Sequence, residues 1–285
     1  MERFKIYNRR YLGSKYKLLE FIEKIVQENT KNCKIFLDLF AGTGVVADYF
    51  NKKYDVVLND LLKCNYFSYE CFFSNLEYDE KKLIEIMKKY NKKIVEDNNY
   101  YSENFKDTYL SEKNLKKVGF IRDDIDDLFE KKEINKREKA ILITSLIYAV
   151  DRIANTVGHY DAYRKNGDLE KELILKIPQI ENDNNKNNKI FCMDANELVK
   201  KFKADIVYID PPYNSRQYSD AYHFLENIAT NKKPKVFGIA KKMDRTHIKS
   251  KYCLSSAKQT LEELIKNIEA KYILFSYKVY LYKLL

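Results

Sequence analysis

Asp210-Pro-Pro-Tyr213 follows an apolar run that ends at Ile209, and two of the chain's four prolines stand together there. The pair stiffens the backbone just beyond the carboxyl end of a predicted strand, where open α/β sheets place ligands. Proline carries no N–H, so the local carbonyls meet no competing turn donor and can face a substrate. A carboxylate plus a rigid carbonyl suits an exocyclic amine, which has two N–H groups to donate. Tyr213 adds a flat face on which a planar base can stack.

A second constellation lies upstream. The apolar run Ile35 to Phe40 leads into Ala41-Gly-Thr-Gly44, followed by the helical Val45-Val-Ala-Asp-Tyr-Phe50. A Gly-x-Gly turn between strand and helix lets a ligand approach the backbone at the positive end of the helix dipole. The third glycine of the dinucleotide fingerprint is missing, with Ala47 in its place. Val57-Leu-Asn-Asp60 then ends a second strand on a carboxylate able to accept hydrogen bonds from both hydroxyls of a ribose. Together these features point to a nucleoside cofactor.

The elements that must position these residues are short apolar runs alternating with helical stretches. Strands are predicted at 35–40, 55–58, 205–209 and 272–275, and helices at 15–27 and 256–270, the latter capped by Ser255 or Ser256. That rhythm predicts a parallel sheet covered by helices. Residues 65–175 lack it. Charged stretches of helical period at 79–93, 121–135 and 137–154 predict a mostly helical insertion, and Glu181 to Asn188 a polar loop returning to the sheet. The expected organisation is one α/β domain, 1–64 with 176–285, carrying the insertion 65–175. The 285 residues suffice for a full hydrophobic core, and 7 glycines exclude collagen-like and linker-rich chains.

The five cysteines are odd in number and without a CxxC pair, and the three histidines, His159, His223 and His247, are scattered. Neither a disulfide framework nor a metal site is expected. The N-terminus shows no apolar h-region, and the longest apolar stretch, 140–150, is too short for a bilayer. A soluble cytoplasmic protein is expected. The formal charge is +10, and most of it is local: residues 231–260 hold nine basic side chains against Asp244 alone. A basic stripe of that kind suits phosphate.

With these motifs in order, the sequence resembles the Dam-like class of N6-adenine-specific DNA methyltransferases of restriction–modification type, over about residues 7–277. Arg10 to Lys15 looks like the family's N-terminal cofactor motif, with Tyr11 and Lys15 its contacting residues. Asp38 to Gly44 looks like the loop for S-adenosyl-L-methionine, through Asp38, Phe40, Gly42 and Gly44. Asp60 matches the ribose-binding position and Asp194 the residue near the cofactor's adenine. Asp210, Pro211, Pro212 and Tyr213 match the catalytic motif, with Asp210 also bordering the cofactor. Asn214 to Tyr218 is similar to an extension found in one branch with asymmetric recognition sites. The resemblance implies a Rossmann-like sheet and a target-recognition region in the insertion. It also implies transfer of a methyl group to the amino nitrogen of an adenine flipped out of double-stranded DNA. Arg216, Tyr218, Lys241, Lys242, Arg245 and Lys249 become candidates for DNA contact, with the loop from Asn155 to Arg164 beside them. A monomer is expected, alongside a cognate restriction endonuclease.

One departure stands out. After Tyr272 to Tyr277 the family continues with an Asn and a Gly-containing turn, where this chain reads Lys278 to Leu285. The expectation is a shortened end without the last hairpin. Two other readings remain open: a weak or inactive DNA-binding remnant, and an RNA adenine methyltransferase. A protein glutamine methyltransferase is disfavoured by Asp instead of Asn at 210.

Overall fold

β-Branched and aromatic runs bounded by turn residues become strands in the computed structural model, which describes residues 1–181 and 184–277. In chain order they are β1 (Arg3–Phe4), β2 (Ile35–Asp38), β3 (Asp55–Asn59), β4 (Ile177–Pro178), β5 (Lys189–Phe191), β6 (Ala204–Ile209), β7 (Val236–Phe237), β8 (Lys242–Met243) and β9 (Ala270–Phe275). Five of them form one sheet in the order β5-β3-β2-β6-β9, parallel at every pairing. β1 pairs with β4 in parallel, and β7 with β8 as an antiparallel hairpin.

Side chains alternate across the central strands, so each sheet face owns a core. Phe36, Val56, Leu58, Ile206 and Tyr208 enter the larger one. Leu37, Leu39, Val57, Val207 and Ile209 enter the smaller one. The helices are α1 (Leu19–Asn29), α2 (Val45–Phe50), α3 (Lys63–Phe73), α4 (Glu80–Lys92), α5 (Tyr100–Phe105), α6 (Glu112–Glu130), α7 (Lys136–Ile153), α8 (Ala195–Val199), α9 (Tyr218–Ala221), α10 (His223–Thr230) and α11 (Ala257–Asn267). α8 and α11 close the smaller core with Leu198, Val199 and Leu264. α1 to α3 close the larger one with Ile22, Val26, Phe50 and Tyr69, and the same core runs on without a break into α4, α6, α7 and α10.

The predicted strands appear within two residues of their expected ends, and β5 is additional, since three residues with one aliphatic side chain give little periodic signal. The helix expected at 121–135 instead starts at Glu112, where the Ser111 hydroxyl accepts from the Asn114 N–H, and stops at Glu130. The apolar stretch 140–150 is the buried spine of α7. Among the described residues no helix is long and apolar enough to cross a membrane. A domain boundary at 64/65 would cut α3, which packs Tyr69 and Phe73 beneath the glycine loop. The expected departure at Lys278 to Leu285 lies outside the described residues.

Candidate active site

Strand order reverses between β2 and β6: the chain builds outward to β3 and β5 on one side and to β9 on the other. At such a switch the loops leaving the carboxyl ends diverge and open a crevice. The backbone stays tied as far as the Leu39 N–H, which donates to the Tyr208 carbonyl at 3.1 Å. Beyond it the Phe40 to Gly44 loop turns one way and Asp210 the other. The cavity between them is lined by Tyr11, Lys15, Asp38, Phe40, Gly42, Asp60, Asp194 and Asp210. Of the nine residues expected around a cofactor, only Gly44 sits behind the wall.

Both glycines are needed for their backbone. Gly42 has φ +53° and Gly44 φ +84°, the left-handed region that costs other residues about 1–2 kcal/mol. A Cβ on Gly42 would stand 2.9 Å from the Tyr11 ring, and one on Gly44 3.2 Å from Ile6 and 3.3 Å from Tyr69. The loop is clamped from below, the Tyr69 hydroxyl donating to the Gly42 carbonyl at 2.7 Å. α2 has only six residues, so loop amides and packing shape this wall more than a helix dipole does.

The carboxylates fall into two kinds. Asp60 is committed to backbone, accepting from the Gly42 N–H at 3.1 Å and the Leu62 N–H at 2.8 Å. Asp194 caps α8, accepting from the Asn196 and Glu197 N–H groups at 2.9 and 3.3 Å. Asp38 is 1% exposed and its Oδ2 has no partner. Burial and the nearby Asp210 charge push its pKa up to about 8. Asp210 gives Oδ2 to an ion pair with the Lys15 ammonium, while its Oδ1 is buried and unpartnered. Burial raises the Asp210 pKa, and Lys15 opposes that rise. Lys15 also donates to the Gly13 carbonyl at 3.2 Å, which aims the ammonium at Asp210.

An aromatic stack forms the opposite wall. Tyr11 lies face to face with Tyr222 at 4.6 Å and with Tyr218 at 5.4 Å between centroids. Arg9 is buried behind it, 5.2 Å from the ring centre, and Asn65 donates to its hydroxyl at 3.2 Å. Phe40 meets Tyr252 edge to face at 5.0 Å. Gln217 pins the segment that carries Tyr252, exchanging two hydrogen bonds with the Ser250 backbone at 3.0 and 2.8 Å. Arg9, Asn65, Tyr222 and Tyr252 were not anticipated from sequence. Each acts through a contact with a residue far away along the chain, and the abundance of tyrosine was the one visible hint.

The tetrapeptide is a partition. Asp210 and Pro212 face the crevice, whereas Tyr213, with Asn214, Arg216 and Gly13, lines a second, outer groove. Pro211, Pro212 and Tyr213 continue into an apolar trough where Tyr213 meets Tyr277 edge to face at 6.0 Å. Two cavities separated by one loop can hold two reactants with a single group passed between them.

The candidates for DNA contact separate in the structure. Tyr218 lines both the crevice and the outer groove, with its ring in the Tyr11 stack and its hydroxyl donating to the Leu12 carbonyl at 3.1 Å. Arg216 stands at the outer groove, paired with Asp161 at 3.1 Å. Lys242 pairs with the same Asp161 at 2.8 Å, and Arg245 with Asp220 at 2.5 Å. Lys241 and Lys249 make no ion pair among the described residues, so their charge is uncompensated.

Sequence comparison agrees with the geometry. The profile for the D12 class N6 adenine-specific DNA methyltransferases matches residues 11–283. The chain belongs to that family. Among its relatives is the modification methylase StsI of Streptococcus sanguinis, 41% identical over 94% of this chain and 43% of the relative. The type II methyltransferase M.FokI of Planomicrobium okeanokoites is 35% identical over 94% and 44%. M.NlaIII of Neisseria lactamica is 30% identical over 94% and 82%. The chain thus spans less than half the length of the first two of these relatives. Membership of this methyltransferase family implies a methyl donor.

Proposed function

We propose that the chain methylates the N6 amino group of an adenine flipped out of double-stranded DNA, with S-adenosyl-L-methionine as donor. The observation that carries this is the Asp210 carboxylate, with one oxygen held by Lys15 and the other buried and free at the partition between two cavities. A free buried acceptor is costly unless a ligand donates to it.

The crevice suits the donor chemically. A sulfonium with an α-ammonium group carries positive charge, and the orphaned Asp38 Oδ2 is a buried acceptor for it. Asp60 stands where ribose hydroxyls could replace its backbone donors, and Phe40 and Tyr11 offer aromatic surface. When bound, the cofactor supplies an electrophilic methyl group.

The remaining work belongs to the chain. Turning the base out costs a few kcal/mol, which stacking on Tyr213 and two hydrogen bonds offset. The adenine amino group donates one hydrogen to Asp210 Oδ1 and the other to the Pro211 carbonyl. Those acceptors draw the nitrogen toward tetrahedral geometry and free its lone pair from the ring. The new N–C bond forms as the sulfur–carbon bond breaks, and the amine's surplus proton leaves along the Asp210 hydrogen bond. Orientation and fixed electrostatics do this without a covalent intermediate. The insertion from α4 to α7 is assigned to target recognition, and Lys241 and Lys249 to phosphate contact. The relatives' names, a modification methylase and a type II methyltransferase, support a role in restriction–modification; a cytoplasmic monomer beside a cognate endonuclease is part of the same proposal.

The test is sequencing, sensitive to N6-methyladenine, of a plasmid from cells expressing the chain. A discrete methylated motif that vanishes with Asp210→Ala is expected. An unmodified plasmid, with labelled methyl appearing in RNA or protein instead, would overturn the reading.

A further inference from the structure

Residues 232–247 form a strap outside the lining of the crevice. At its centre β7 and β8 make a hairpin whose four-residue turn, Gly238 to Lys241, carries Ile239 at the tip. Ile239 is 85% exposed, and Phe237, on the strand leading to it, is 56% exposed. Isolated exposed aliphatics are ordinary. This one differs because its backbone is held. Gly238 takes φ +70° to close the turn, the Lys241 N–H donates to the Gly238 carbonyl at 3.1 Å, and the Tyr109 hydroxyl donates to the Ala240 carbonyl at 2.7 Å. An isoleucine kept in water on a braced tip has no folding role.

The position of the hairpin follows from one carboxylate. Asp161 binds Lys242 at the base of β8 and Arg216 at the mouth of the outer groove. Lys242 lies three positions from Ile239, a reach of at most about 10 Å, so tip and groove fall within one helical turn of a duplex, roughly 34 Å. Lys235 and Lys241 flank the apolar tip in sequence and form no ion pair among the described residues, which matches a phosphate backbone on either side of a base stack.

We propose that the β7–β8 hairpin is a wedge that enters the DNA beside the target adenine, with Ile239 as the inserted side chain. Resting on the DNA-methylation reading, it adds the device that opens the stack. The side chain fills space beside the vacated position and removes part of the stacking that holds the base in, as apolar wedges do at kinked base steps. The flanking lysines hold the two strands while the adenine turns toward Tyr213.

The test uses duplexes carrying the motif mapped on a plasmid modified by the wild-type chain. In one the target adenine is paired with thymine, and in the other it faces an abasic position. Ile239→Ser should lower methylation of the paired duplex about tenfold and leave the abasic-opposed duplex near the wild-type rate, because an unpaired adenine needs no opening. Ile239→Leu should restore the paired rate, and 2-aminopurine at the target position should brighten less with Ile239→Ser than with wild type. Equal rates for variant and wild type on the paired duplex, or an equal loss on both duplexes, would overturn the wedge while leaving the methylation reading intact. A wild-type chain that modifies no plasmid would end both.

Discussion

The floor of the crevice and the basic segment 231–260, which contains the strap, treat charge in opposite ways. On the floor, Asp38 and Asp210 each keep one buried carboxylate oxygen without a partner, and Lys15 pairs with the other oxygen of Asp210. In the basic segment, nine basic residues look like a continuous positive patch, but three are already neutralised: Lys233 by Asp123, Lys242 by Asp161 and Arg245 by Asp220. Their charge braces the hairpin instead of reaching outward. A group acts on a ligand through what its own fold leaves unsatisfied, and a count of charges cannot show that.

The sharpest way to break this comparison is Asp210→Ala. Removing the free acceptor should cost about 10³-fold in methyl transfer while cofactor affinity stays within a few-fold. Labelled-methyl transfer and equilibrium binding read the two separately, and retained turnover would show that the orphaned oxygen is not the amine's acceptor.

Lys15→Met should cost about 10- to 100-fold near neutral pH, with a distinctive pH signature. Lys15 opposes the burial that raises the Asp210 pKa. Without it the carboxyl protonates at higher pH, so the acidic limb of kcat/KM against pH moves upward. Lys15→Arg should move it most of the way back. A uniform loss at every pH would mean that Lys15 serves only the cofactor.

Asp38→Asn separates ligand binding from stability. With its pKa near 8, the folded chain holds this proton far more tightly than the unfolded chain, whose carboxyl titrates near 3.9. The stabilisation is complete below about pH 4 and is lost as the pH rises through 8. At pH 8 Asp38→Asn should therefore raise Tm, by about 2–4 °C if 1 kcal/mol is recovered, while cofactor affinity falls. Calorimetry across pH 5 to 8 checks the sign, and a lowered Tm would place Asp38 among the structural carboxylates.

The smallest effects belong to the basic segment. Lys241→Ala and Lys249→Ala should each reduce the salt dependence of DNA binding by about one unit of slope. Lys242→Ala should reduce it less and loosen the hairpin, since its charge is spent on Asp161. Equal slopes for all three would erase the distinction between paired and free lysines.

Much of the site was legible because its parts are local. Gly42 and Gly44 follow a strand directly, Asp60 ends the next one, and Asp210 to Tyr213 are contiguous, so type and spacing sufficed. The Tyr11–Tyr218–Tyr222 stack was not legible, because it joins the N-terminal motif to the helices after Asp210 to Tyr213 and no periodicity links such distant rings. Tyr218, expected at the DNA because it follows Asp210 to Tyr213, lines the outer groove and also stacks on Tyr11, a contact that spacing does not show. The boundary expected at 64/65 tracked a change in composition, whereas α3 continues the core under the glycine loop.

The sequence by itself determined the parallel α/β sheet, the order of the cofactor and catalytic motifs and the family, since each depends on residue types within a few positions of one another. Only the tertiary structure decided which carboxylates are free, which cations are spent, and that the tetrapeptide Asp210 to Tyr213 divides two cavities. Those properties depend on desolvation and on partners supplied from elsewhere in the chain: Lys15 lies 195 positions from Asp210 and Asp161 lies 81 from Lys242.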